Sequence, residues 1–302
     1  MHLYLKEPYT TTRNTGQMKA QHFRIVFTHA LIPTMLPQQF SSSLTSRSGN
    51  TMYFLFAALV GLILGSFYSV CASRYGTGNT IFRPSRSYCP QCDHQLTMWE
   101  NIPLLSFLLQ KGRCSHCSSR IPFFYPLSEL TSMLWAVLAA AHTADPLEWG
   151  VLMVIGGICI VASAIDLRTF ILPDYLTYTG AVIVLGASYA GLLDVTFIDA
   201  LLGAGIGTFS LWAIAAIYKA IRKIDGLGLG DVKFMLMLGA LVGWHQLSIF
   251  ILVASVCALV FCIATLRGKA GMSTIYIPFG PFLAAGSLIT YLYGTNIIAF
   301  LR

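Results

Sequence analysis

The sequence predicts an all-α polytopic membrane protein of about eight transmembrane helices, with a small cytoplasmic zinc-binding insertion after the first of them. Three observations carry this expectation. Of the 302 residues 56% are hydrophobic, the mean hydropathy is +0.68 and only 12 residues are Asp or Glu, more apolar surface than a water-soluble globule of this length can hide. Apolar runs approaching or exceeding the length that spans a bilayer, about 17 to 25 residues, recur at 52–73, 125–142, 148–165, 172–193, 196–218, 246–266 and 278–301, with a shorter one at 233–244. Basic residues then alternate between loops: Arg74, Arg83, Arg86, Lys111, Arg113 and Arg120, then Arg168, then Lys219, Arg222, Lys223 and Lys233, then Arg267 and Lys269. The intervening loops, at 142–148, 192–195 and 244–245, hold none. Because cytoplasmic loops retain Lys and Arg, this asymmetry places the basic loops inside. It also accounts for the net charge of +7 without a nucleic-acid partner.

Residues 1–51 do not fit the alternation, since Lys6, Arg13, Lys19, Arg24 and Arg47 precede the first span on what should be the outer side. Phe27 to Leu36 is too short and too interrupted by His29 and Pro33 for a signal sequence. The segment reads as a disordered extension, or as a start assigned too early with Met52 as the beginning. The remaining organisation is a first membrane helix at 52–73, a polar cytoplasmic loop domain at 74–124 and a membrane core at 125–302.

The polar loop contains "CPQC", with Cys89 and Cys92, and "CSHC", with Cys114 and Cys117. Two C-x2-C knuckles about twenty residues apart suit a tetrahedral four-thiolate zinc site, each knuckle bending the backbone so that both sulfurs reach one ion. A cytoplasmic position argues against structural disulfides, and no thioredoxin-like pattern surrounds either pair. With no open coordination position, such a zinc is structural and folds a loop that has few apolar residues of its own. His94 and His116 are close enough in sequence to compete as ligands, although a surface position suits them better. Cys71, Cys159, Cys257 and Cys262 fall in apolar runs and read as small core residues.

Ionisable groups at membrane helices are costly, which makes each a functional candidate. Asp166 closes the third span in "VASAIDLRTFILPD" and Asp231 opens the sixth in "GLGLGDVK", both at the cytoplasmic edge. Two carboxylates at one depth can share a proton, one acting as base toward water and the other as acid toward a carbonyl, which is the chemistry of aspartic peptide hydrolysis. The helix dipoles, together with Lys233, favour Asp231 as the base and Asp166 as the acid. Gly226, Gly228 and Gly230 carry no side chains, so an extended substrate could approach Asp231, and they permit unusual backbone angles. A flexible loop with Asp231 as helix cap is the plainer reading. Asp174, after Pro173, reads as a helix start, Asp199 as an early helix residue and Asp225 as a solvated loop residue. For Glu129 two readings stay open: a cap of the second helix, or contact with a cationic ligand.

With these residues in view, the chain from Met52 onward resembles the type IV prepilin peptidases, membrane aspartic proteases. The likeness rests on "GLILGSFYSVCASR", "CPQC" followed by "ENIPLLSFLLQKGRCSHC", "YPLSEL", "DLRTFILPD", "GLGLGDVK" and "IPFGPFLA", in that order. Presenilin-like intramembrane proteases share the glycine-x-glycine-aspartate element, but not the cysteine insertion or the last motif. The resemblance implies that Asp166 and Asp231 are the catalytic pair, with Gly228 and Gly230 in the substrate loop. It implies a bacterial inner-membrane enzyme that removes basic leaders from prepilins or pseudopilins after a glycine, on the cytoplasmic side. For members with the cysteine insertion, it further implies S-adenosylmethionine-dependent methylation of the new N-terminus. Where the family usually has asparagine, this chain has Ser69, a departure that bears on the methyl transfer and not on the protease. An ion- or proton-coupled transporter would instead place its carboxylates near the bilayer midplane.

Overall fold

A computed structural model describes residues 51–76, 86–223, 226, 228–266 and 277–301, and all of them fall within one unit, Arg47–Arg302. The extension at 1–50 and Asp225 lie outside the described residues. Every apolar run becomes a helix: α1 (Thr51–Arg74), α2 (Phe124–His142), α3 (Pro146–Thr169), α4 (Asp174–Tyr189), α5 (Phe197–Arg222), α6 (Leu229–Val242), α7 (Leu247–Leu266) and α8 (Gly280–Leu301). No strand occurs among the described residues.

Where eight spans were expected, six helices among the described residues are long and apolar enough to cross a bilayer by themselves. The other two, α4 at 16 residues and α6 at 14, fall short of the about 20 residues a lone span requires. Packing explains why α6 can be short. Ten of its residues are buried, with Phe234, Met235, Met237, Leu238 and Leu241 wholly inaccessible, because α4, α5, α7 and α8 all pack on it. A helix buried on nearly every side is a core element, and its flanks meet protein rather than lipid.

Local signals set the helix ends. Asp145 caps α3, its Oδ1 accepting the Leu147 N–H at 3.0 Å, and Pro146 occupies the first turn, where its missing N–H costs nothing. Phe170 ends α3 in the left-handed region (φ 56°), and Pro173, still extended, is the residue just before α4. Thr196 caps α5 by accepting the Asp199 N–H at 3.2 Å, which makes Asp199 the early helix residue expected of it. Between α5 and α6 the backbones touch: a Cβ on Gly203 would lie 2.2 Å from the Gly239 carbonyl oxygen, so only glycine permits this crossing.

The helices alternate in direction. One end of the bundle gathers the end of α3 and the starts of α4, α6 and α8. The other gathers the end of α2, the start of α3, the α4–α5 turn and the turn after α6.

Candidate active site and cysteine cluster

The first end holds the two aspartates. Asp166 sits in the last turn of α3 and Asp231 in the first turn of α6, 5% and 9% exposed respectively, and they lie within electrostatic reach of one another. Their partners differ. Asp166 Oδ2 accepts the Gly280 N–H at 3.0 Å, whereas Asp231 Oδ1 is buried with no hydrogen-bond partner among the described residues. Gly280 is the first residue of α8, whose opening amides have no partner within the helix. One of those amides is therefore aimed at a carboxylate. The approach is close enough that a Cβ on Gly280 would stand 2.7 Å from Asp166 Oδ2.

Gly280 is the site residue that residue-by-residue reading passed over. Its signal lay in "PFGP", Pro278 to Pro281, a glycine between two prolines just before an apolar helix. Leu172 joins the pieces: it stands 3.1 Å from where a Cβ of Gly230 would lie and 3.3 Å from that of Gly280, so it packs between the α6 and α8 starts.

The loop glycines serve closeness rather than unusual angles. Gly228 has an ordinary extended backbone (φ −67°, ψ 134°), and neither Gly226 nor Gly230 is in the left-handed region. A Cβ would meet Tyr218 from Gly226, Asp231 Oδ2 at 3.3 Å from Gly228, and Leu172 from Gly230. Gly228, not Asp231, is the residue preceding the helix, and the Asp231 carboxylate makes no cap bond. Lys233 also turns elsewhere, reaching both oxygens of Asp174 at 2.9 and 2.8 Å and tying α6 to α4. Arg168 donates to the Ala72 carbonyl at 3.3 Å. Lys233, invoked with the helix dipoles to favour Asp231 as the base, is thus engaged with another partner, and the Gly280 amide is a donor that the dipole argument did not contain.

In the polar loop, Cys89, Cys92, Cys114 and Cys117 converge, their sulfurs all within 4.8 Å of one another. Cys89 Sγ and Cys117 Sγ are 3.8 Å apart. A tetrahedron with metal–sulfur bonds of about 2.3 Å has edges of about 3.8 Å, so the four thiols fit a zinc ion. The two knuckles repeat one local geometry. Each lies inside a bridge, Tyr88 with Gln95 and Arg113 with Arg120, and each turns on a residue of positive φ, Asp93 (53°) and Ser118 (57°). His94 and His116 stack on each other at 5.1 Å, and the four-atom cluster does not include them. Glu100 clasps the loop: its carboxyl is held down at about 2 by hydrogen bonds from the Ser115 hydroxyl and then the Thr97 amide. Glu129, open between two readings in sequence, accepts the Leu104 N–H at 2.8 Å and anchors this loop to α2.

Comparisons with known proteins match both parts of the chain. The model for the bacterial peptidase A24 N-terminal domain matches residues 59–143, and that for the type IV leader peptidase family matches 153–263. A prepilin leader peptidase/N-methyltransferase of Burkholderia pseudomallei is 37% identical over 276 residues, covering 81% of this chain and 86% of that protein. Proteins of the same name from Stutzerimonas stutzeri (34% over 293 residues; 88% and 97%) and Pseudomonas aeruginosa (33% over 269 residues; 81% and 92%) are similar along most of their length. No solved structure matches. With matches spanning both the cysteine loop and the aspartate-bearing core of an integral membrane helix bundle, the chain belongs to the type IV leader peptidase family.

Proposed function

We propose that this protein removes the basic leader of type IV prepilins or pseudopilins, cutting after a glycine at the cytoplasmic face of the bacterial inner membrane. The observation that carries the reading is the pairing of two buried carboxylates supplied by the ends of separate helices. In that pair one carboxylate takes a proton from water as it attacks the scissile carbonyl, while the other, protonated, donates to the carbonyl oxygen. The Gly280 amide fixes the orientation of Asp166, and Oδ1 of Asp231 is buried with no partner among the described residues, a polar atom left over for the reacting groups of a substrate that enters the site. Their place at helix ends suits a substrate whose leader is in the cytoplasm and whose apolar helix lies in the bilayer, and it disfavours the transporter reading. Incubating the purified enzyme with a precursor that carries a basic leader, a glycine and an apolar helix tests this. Mass spectrometry should find a single cut after the glycine, and an intact precursor would refute the reading.

The cysteine cluster supports one structural zinc. Held by Cys89, Cys92, Cys114 and Cys117, such an ion joins the two knuckles and has no open position for chemistry. Replacing Cys92 and Cys117 by Ser is expected to remove this metal and loosen the loop first, because the dyad belongs to the membrane helices. Limited proteolysis within 86–121, compared with metal content, checks this order.

S-adenosylmethionine is the implied methyl donor for the second activity. A cleft of about 580 Å³ beside the cysteine loop is lined by Gln110, Lys111, Arg113, Cys114, Ser115 and Ser118. That lining is cationic and lacks a carboxylate, a poor match to a sulfonium bearing an amino group, so no methyl-transfer step is drawn through it. Ser69 is buried in α1, and its hydroxyl donates to the Ser66 carbonyl at 2.7 Å. The expected product of the intact enzyme with S-adenosylmethionine is a mature pilin one methyl group heavier at its N-terminus. An unmethylated product would confine the protein to proteolysis.

A further inference from the structure

The end of the bundle opposite the dyad carries a second constellation, which leader cleavage does not use. His142 at the end of α2, Glu148 in the first turn of α3 and Asp194 in the α4–α5 turn each offer one ligand atom, all within 4.8 Å of one another. His142 Nε2 lies 3.0 Å from Asp194 Oδ2. We propose that these three residues bind a divalent transition-metal ion of the zinc class, which fastens the α2–α3 turn to the α4–α5 turn.

Two observations outside the three side chains point to a cation. The first concerns charge. The loops at this end, 142–148, 190–199 and 243–246, contain no Lys or Arg, yet they hold Asp145, Glu148, Asp194 and Asp199. Asp199 is partnered by the Trp244 indole N–H at 2.9 Å and lies 3.7 Å from His245, and Asp145 caps α3. Glu148 and Asp194 are left with His142 as their only ionisable counterpart in these loops. Two carboxylates and one imidazole form a set that binds divalent metals with room for water.

The second concerns how the ligands are held. Glu148 receives a hydroxyl on each oxygen, Tyr291 on Oε1 at 3.4 Å and Thr143 on Oε2. The Tyr291 hydroxyl, on a side chain from α8 only 7% exposed, also lies 3.4 Å from the Asp194 N–H, which donates to it. The Tyr291 ring packs 5.3 Å from that of His142. One buried tyrosine therefore touches all three candidate ligands. Such outer support, with the carboxylate oxygens hydrogen-bonded in turn, is what orients metal ligands in built sites.

Cobalt(II) titration of the full-length protein tests the site, because thiolate and oxygen/nitrogen ligation differ in the visible and near-ultraviolet. The cysteine loop should take one equivalent with strong sulfur-to-cobalt charge transfer. A second equivalent should bind with weak visible bands and no added charge transfer. The Glu148→Gln/Asp194→Asn variant should lose only the second equivalent, and the Cys92→Ser/Cys117→Ser variant only the first. The second variant keeps the test open if the first misfolds. Saturation of the intact protein at one equivalent that carries the sulfur charge transfer, persistence of the weak-band equivalent in Glu148→Gln/Asp194→Asn, or its absence from the cysteine variant would each overturn the proposal. Failure of the cysteine site alone would instead remove the charge-transfer bands and leave the weak ones.

Discussion

Asp166→Asn and Asp231→Asn should each lower the rate of leader removal by about 100- to 10,000-fold, the range expected when a positioned acid or base is lost. Both residues are buried at helix ends, and asparagine is close in size to aspartate, so membrane insertion and metal content should stay unchanged. The measurement is single-turnover cleavage of a purified precursor by each variant, with metal analysis of the same samples. Near-normal cleavage by either variant would remove that residue from the chemistry. The double variant should be little worse than the single ones, because a proton-sharing pair acts as a unit and its effects do not add.

Gly280→Ala is expected to cost about 100-fold in cleavage, the scale of a roughly 1 Å displacement at a reacting group. The added methyl would stand 2.7 Å from Asp166 Oδ2 and 3.3 Å from Leu172 Cδ2, so either the carboxylate or the start of α8 must shift. The change lies at a helix start rather than in the buried α6, so the thermal unfolding midpoint should move little while the rate falls. Precursor affinity should also be largely kept, which places the loss in the chemical step. Normal cleavage by Gly280→Ala would show that the Gly280 amide does not hold Asp166 in its working orientation.

The long helices were legible in the sequence because hydropathy is a local property: each run has to bury or submerge its own side chains wherever its neighbours lie. The four-cysteine site was legible for the same reason, since a C-x2-C knuckle is a turn whose sulfurs converge within a few residues. Asp166 and Asp231 were legible as candidates because charge at a membrane helix end is costly, and the order of motifs around them carried the family. The length at which a helix can stop depended on packing: α6 ends after 14 residues because four helices enclose it.

Pairwise matters were decided by the tertiary structure. Nothing near Lys233 in sequence indicates that it pairs with Asp174, or that Glu129 takes the Leu104 amide. Nor could local reading join His142, Glu148 and Asp194 beneath Tyr291, or bring Gly280 to Asp166. A hydrogen bond is satisfied over about 3 Å, and residues far apart in the chain reach that distance only when helix crossings are fixed. In this bundle small residues set the crossings, as where Gly203 meets Gly239 backbone to backbone. The sequence by itself determined which residues could do chemistry. The packing of the helices decided which of them meet, because contact depends on the summed geometry of all the crossings and not on any one segment.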